Sequence, residues 1–103
     1  MTQSRSCGLS PKRTLREFWE RHADAEQSLE DWYREVSSAD WSTPAAVRMQ
    51  YPRASIIGNY RVVFRIKGND CRLVVRIFYP CRVVYIRFIG THSEYDRNNA
   101  EEV

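Results

Sequence analysis

Apolar and polar positions follow two different periods in the two halves of this chain. Leu15, Phe18, Trp19 and His22 fall at i, i+3, i+4 and i+7, one face of a helix. Ser10-Pro11 ahead of them has the form of an N-cap followed by proline at the first helical position. A second helix is expected to start near Asp24, with Gln27 at capping-box spacing, and to turn Leu29, Trp32, Tyr33 and Val36 to one side. The short link around His22–Asp24 predicts a helical hairpin. Thr43-Pro44 opens a third, shorter helix to about Met49, ended by Pro52.

Beyond that the period drops to two. Val62, Phe64 and Ile66 alternate with Arg61, Val63, Arg65 and Lys67, and Leu73, Val75, Ile77 and Tyr79 with Arg72, Val74, Arg76 and Phe78. In the last strand Val84, Ile86 and Phe88 alternate with Val83, Tyr85, Arg87 and Ile89. Keeping the apolar sets on one side sets the register of a meander over residues 61–89. Ile66 must pair with Cys71, Phe64 with Leu73 and Val62 with Val75, which leaves Gly68-Asn69 as a tight turn. Ile77 must pair with Val84 and Val75 with Ile86, with Pro80 at the second position of the intervening turn. Residues 1–9 read as a polar extension or an edge strand around Cys7–Leu9, and residues 10–103 as a single α+β domain.

The opposite face of that meander lists itself: Arg61 across from Arg76, Arg65 across from Arg72, Arg76 across from Tyr85, and Arg87 beside Val74. Facing like charges destabilise a sheet, so their repetition points to a bound anion. The charge distribution agrees. Residues 1–50 sum to −1, residues 51–90 to +7 and residues 91–103 to −3, so the overall +3 conceals a basic block. Fourteen of the sixteen cations are arginine, whose planar fork suits phosphate. No stretch is apolar enough to span a membrane, and the N-terminus lacks the apolar core of a signal peptide. Three cysteines without CxxC spacing and only two histidines predict no metal site, no cofactor and reduced thiols in a cytoplasm. The three tryptophans, Trp19, Trp32 and Trp41, read as packing residues, and His22 as a helix C-terminal residue favoured by the dipole.

Just past the last strand stands Gly-Thr-His-Ser-Glu-Tyr-Asp, residues 90–96. Cleaving RNA without a metal requires loss of the 2′-OH proton, neutralisation of phosphorane charge and protonation of the departing 5′-oxygen. An arginine cluster supplies the second. His92 is suited to proton transfer and Tyr95 to assisting it or to stacking, while Thr91 is placed to cap the following turn and Asp96 to bond at its end.

The stretches Leu15–His22, Trp32–Val36, Arg61–Phe64, Gly68-Asn69, Arg72–Val75 and Val84–Asp96 resemble the HigB toxins of the RelE/ParE superfamily of type II toxin–antitoxin systems. The resemblance implies a RelE-like fold, with an N-terminal helical hairpin on a twisted antiparallel sheet and a short C-terminal helix or turn. It implies ribosome-dependent mRNA cleavage by 2′-OH attack, and neutralisation by a HigA-type helix-turn-helix antitoxin, with no small-molecule substrate. By position it makes Arg72, His92 and Tyr95 the catalytic candidates: Arg72 at the scissile phosphate, and His92 as general acid with Tyr95 as helper, roles that interchange without distances. Arg61, Arg65, Arg76, Arg87 and Tyr85 become the RNA-binding candidates, Arg65 standing where relatives often carry a neutral polar residue. Two departures are the polar N-terminal extension and Pro80-Cys81 in place of a glycine-containing turn. Other readings are a superfamily toxin that poisons DNA gyrase, and an RNA-binding module without activity. The antitoxin is expected either over the basic face or on the hairpin around Trp32 and Tyr33.

Overall fold

The helical and the alternating segments separate into helices and one sheet in the computed structural model, which describes residues 8–9, 12–58, 60–67 and 71–97. The elements are β1 (Gly8–Leu9), α1 (Arg13–Trp19), a 3₁₀ turn (Ala23–Ala25), α2 (Glu26–Ser37), α3 (Pro44–Gln50), β2 (Ser55–Ile57), β3 (Arg61–Ile66), β4 (Cys71–Phe78), β5 (Val83–Thr91) and α4 (His92–Asp96). The five strands lie in the order β1-β5-β4-β3-β2. All pairings are antiparallel except that of β1, which runs parallel to β5 with Leu9 opposite Val84. The edge strand expected near the N-terminus therefore forms over Gly8–Leu9, whereas Cys7, Ser10 and Pro11 lie outside the described residues. The edge strand β2 has no counterpart in the sequence reading.

The helices bury the faces their spacing marks: Leu15, Phe18 and Trp19 in α1, and Leu29, Trp32 and Val36 in α2. Tyr33 is only half-buried, with the Lys12 ammonium 5.3 Å from its ring centre. The capping box expected at Asp24 and Gln27 does not form. Asp24 lies in the 3₁₀ turn and pairs with Lys67 at 2.5 Å, and Gln27 donates to Asp31 at 3.0 Å, leaving Ala25 as the N-cap of α2. The Lys67 ammonium lowers the Asp24 carboxyl below its ordinary value. It thereby ties the end of β3 to the start of α2. His22 lies just beyond α1, where its amide donates to the Phe18 carbonyl at 3.0 Å and its ring stacks on Phe18 at 4.3 Å. In α3 the sequence signal holds, since the Thr43 hydroxyl accepts from the Ala46 amide at 3.2 Å with Pro44 in the first position.

Phe64, near the middle of β3, organises the core. Trp32 and Tyr51 approach its ring edge-on at 5.4 and 5.0 Å, and Trp41 stacks on it at 5.9 Å. All three tryptophans are buried, and Trp32 is a core residue. Burial and the carboxylate of Glu35, to which the Tyr51 hydroxyl donates, push the Tyr51 hydroxyl far above its ordinary range.

The strand registers follow the apolar pattern. Ile66–Cys71, Phe64–Leu73 and Val62–Val75 pair between β3 and β4, and Ile77–Val84 and Val75–Ile86 between β4 and β5. The Arg82 amide donates to the Tyr79 carbonyl at 3.1 Å, closing a turn with Pro80 in its second position, and Arg82 reaches Asp40 at 2.9 Å. Gly68-Asn69 lies outside the described residues. One irregularity changes the site. After the Val75–Ile86 pair, Val74 faces Phe88, so Arg87 is the extra residue of a β-bulge and does not sit beside Val74. A bulge reverses the alternation beyond it. Phe88 is thereby turned onto the arginine face, away from Val84 and Ile86, and Ile89 takes the core position opposite Leu73.

Among the described residues no helix is long and apolar enough to cross a membrane.

Candidate functional site

Val63 and Val74 pair at the centre of the second sheet face and are 3% and 0% exposed, although neither belongs to the core on the helical side. The arginine pairs flank them, Arg61–Arg76 on one side and Arg65–Arg72 on the other. Long aliphatic stems cover apolar surface while carrying a charged head outward. The four arginines are not equivalent: Arg61 and Arg72 are buried, Arg76 is half-buried and Arg65 is exposed.

Arg72 is covered from the α4 side, where the Tyr95 ring centre lies 5.8 Å from its guanidinium carbon. That contact depends on how α4 leaves β5. The Thr91 hydroxyl accepts from the Glu94 amide at 3.3 Å, and the Glu94 carboxylate accepts from the Thr91 amide at 2.9 Å, a complete capping box. Gly90, the residue before it, is the strand partner of Arg72. A Cβ on Gly90 would stand 2.6 Å from the tip of the Phe88 ring and 2.8 Å from Glu94 Oε1. The missing side chain thus makes the space beside Arg72 that the bulge-turned Phe88 and the Glu94 carboxylate occupy.

On the same helix His92 Nδ1 lies 3.2 Å from Asp96 Oδ2. A carboxylate at Nδ1 fixes the ring and leaves Nε2 for a substrate. The His92 side chain is half-exposed, and it lies three residues before Tyr95, on a neighbouring part of one helix surface.

Of the residues singled out from sequence, Arg72 and Tyr95 are in contact, and His92 shares their helix-strand junction. Arg61, Arg65 and Arg76 form rows beside Arg72 on the sheet. Tyr85 is exposed opposite Arg76, and Arg87 is exposed at the bulge. Gly90 and Glu94 were not singled out. Their signals were a glycine inside a strand and a Thr-x-x-Glu spacing.

Known proteins resemble this chain along most of its length. Residues 25–98 match the model of the HigB toxin family, described as the RelE-like toxic component of a toxin-antitoxin system. The chain is 27% identical over 75 residues to the mRNA interferase HigB of Escherichia coli O6:H1 strain CFT073, covering 68% of this chain and 70% of that protein. It is 24% identical over 93 residues to the mRNA interferase toxin HigB of Escherichia coli K12, covering 85% and 86%. The mRNA interferase HigB of Shigella flexneri matches over the same 93 residues at the same identity. With a family match that spans the second helix, the whole meander and the terminal helix, this chain belongs to the HigB toxins.

Proposed function

We propose that this toxin is an endoribonuclease that cleaves mRNA on the ribosome by attack of the 2′-hydroxyl on the adjacent phosphate. The observation that carries the reading is the Tyr95 ring lying 5.8 Å from the buried Arg72 guanidinium, with His92 beside Asp96 on the same capped helix. The names of the similar HigB proteins, which are mRNA interferases, support it.

In this mechanism the bond from 2′-oxygen to phosphorus forms as the bond to the 5′-oxygen breaks. Arg72, held by Tyr95, meets the charge that builds on the phosphorane oxygens. A fixed guanidinium in a partly dry site costs little reorganisation at that moment. His92 protonates the departing 5′-oxygen through Nε2. The 2′-hydroxyl proton leaves to solvent, and the products are a 2′,3′-cyclic phosphate and a 5′-hydroxyl. Arg61, Arg65, Arg76 and Arg87 bind the flanking phosphates, with Tyr85 beside them, and the partner is a HigA-type helix-turn-helix antitoxin.

Purified toxin added to programmed ribosomes tests the proposal through the chemistry of the ends it makes. Cyclic phosphate and 5′-hydroxyl termini are expected. A 5′-phosphate terminus contradicts the mechanism, and intact mRNA accompanied by DNA breaks in cells favours a gyrase-directed toxin.

A further inference from the structure

Four residues along β4 from Arg72, about 13 Å at the rise of a strand, the arginine face carries aromatic rings, of which Tyr60 and Phe78 have no part in the cleavage mechanism. Tyr60, Phe78 and Tyr85 are 52%, 39% and 43% exposed, three of the four large apolar side chains exposed among the described residues. They surround one cation. The Arg76 guanidinium carbon lies 5.8 Å from the Tyr60 ring centre, Tyr85 is the strand partner of Arg76, and Phe78 stands two residues further on the same face. Among the described residues no carboxylate pairs with Arg76.

Tyr60 is held in an unusual way. Its φ is +61°, in the left-handed region that bulky side chains rarely enter. Its carbonyl accepts from the Ile77 amide at 2.8 Å, which anchors the backbone to β4. Its ring meets Phe78 edge-on at 6.5 Å and lies 6.4 Å from Tyr79. A bulky residue held in this conformation with half its surface in water gains little from burial, which leaves the ring face open to a ligand. Tyr60 also forms one wall of a cleft of about 390 Å³, lined by Pro44, Ile56, Ile57, Gly58 and Tyr79. That volume falls within the range of small-ligand sites.

We infer that Tyr60 and Phe78, with Arg76 and Tyr85, form a nucleobase-stacking subsite for single-stranded RNA. It receives a base a few nucleotides from the phosphate held at Arg72. Pre-fixed aromatic rings beside an uncompensated guanidinium are how proteins hold unpaired bases together with their backbone. The subsite is continuous with the arginine rows and so fits the same strand. The inference rests on the ribonuclease reading for its orientation, and on the rings and Arg76 for its existence.

The test uses the full-length toxin and an all-2′-O-methyl oligoadenosine carrying 2-aminopurine, which cannot undergo 2′-OH attack. Wild-type toxin is expected to quench the fluorophore, as a stacked base does. Tyr60→Leu and Phe78→Leu should each lose the quenching and weaken binding roughly tenfold. Tyr60→Phe should keep both, because it keeps the ring. Failure of wild-type toxin to quench, unchanged binding by Tyr60→Leu, or a loss in Tyr60→Phe equal to that in Tyr60→Leu would each overturn the subsite. Tyr60-dependent quenching from a toxin that leaves mRNA intact would support the subsite and remove only the nuclease reading.

Discussion

Arg72 combines two properties that rarely coincide, burial and a place on a face of arginines. A charge withdrawn from water in this way is worth more to a developing phosphorane than an exposed one, because less solvent screens it. Arg72→Ala is therefore expected to lower cleavage roughly 100-fold or more. Arg72→Lys should recover little, since a point charge does not reproduce the fork. Single-turnover cleavage rates on programmed ribosomes measure both. His92→Gln keeps size and hydrogen bonding but has no ring proton to give, so it should cleave slowly. An unchanged rate would exclude His92 from proton transfer. These residues were legible in the sequence because each carries chemistry out of place, a row of like charges and a histidine at a strand end. The burial of Arg61 and Arg72 was not, since alternation marks both as solvent-facing and only tertiary packing decides otherwise.

At the scale of elements, the junction of β5 and α4 determines whether those residues meet. Gly90→Ala places a methyl group against the Phe88 ring and Glu94 Oε1, both closer than 3 Å. Glu94 is held by the Thr91 amide, so relief of the clash should disengage the cap and shift α4 off Arg72. Gly90→Ala is expected to lose most activity while the core, on the other face, keeps its cooperative melting transition. Thr43→Ala, at the N-cap of α3 and remote from the site, should do the reverse. It should cost about 1 kcal/mol of stability with wild-type cleavage, as denaturant titration and activity together would show.

The helices and the register of the meander could be read from sequence because each apolar set has one side on which it can be buried. The bulge could not. Phe88 and Ile89 are both apolar, so a reversal between them leaves the pattern looking unbroken. The Asp24–Gln27 capping box was misread for another reason: Lys67, more than forty residues away, takes the Asp24 carboxylate. A long-range ion pair leaves no local signal. The Thr91–Glu94 box has no such competitor and forms as spaced.

For the molecule as a whole, the helices occupy one side of the sheet, and Arg61, Arg65, Arg72 and Arg76 of the +7 block over residues 51–90 lie along the other. Affinity for RNA should fall steeply with salt. Arg76→Ala should reduce the slope of log affinity against log salt by about one, as fluorescence titrations over a salt series would reveal. The proposed cleavage of mRNA by this face, through Arg72 and the α4 junction, has a direct readout in cells. Brief induction of the toxin, followed by genome-wide mapping of new mRNA 5′ ends, tests it most directly, with Arg72→Ala at equal expression as the comparison. New ends within translated regions, bearing 5′-hydroxyls, are expected from wild-type toxin and almost none from Arg72→Ala. Growth arrest with unbroken mRNA, or the same ends from both proteins, would contradict it.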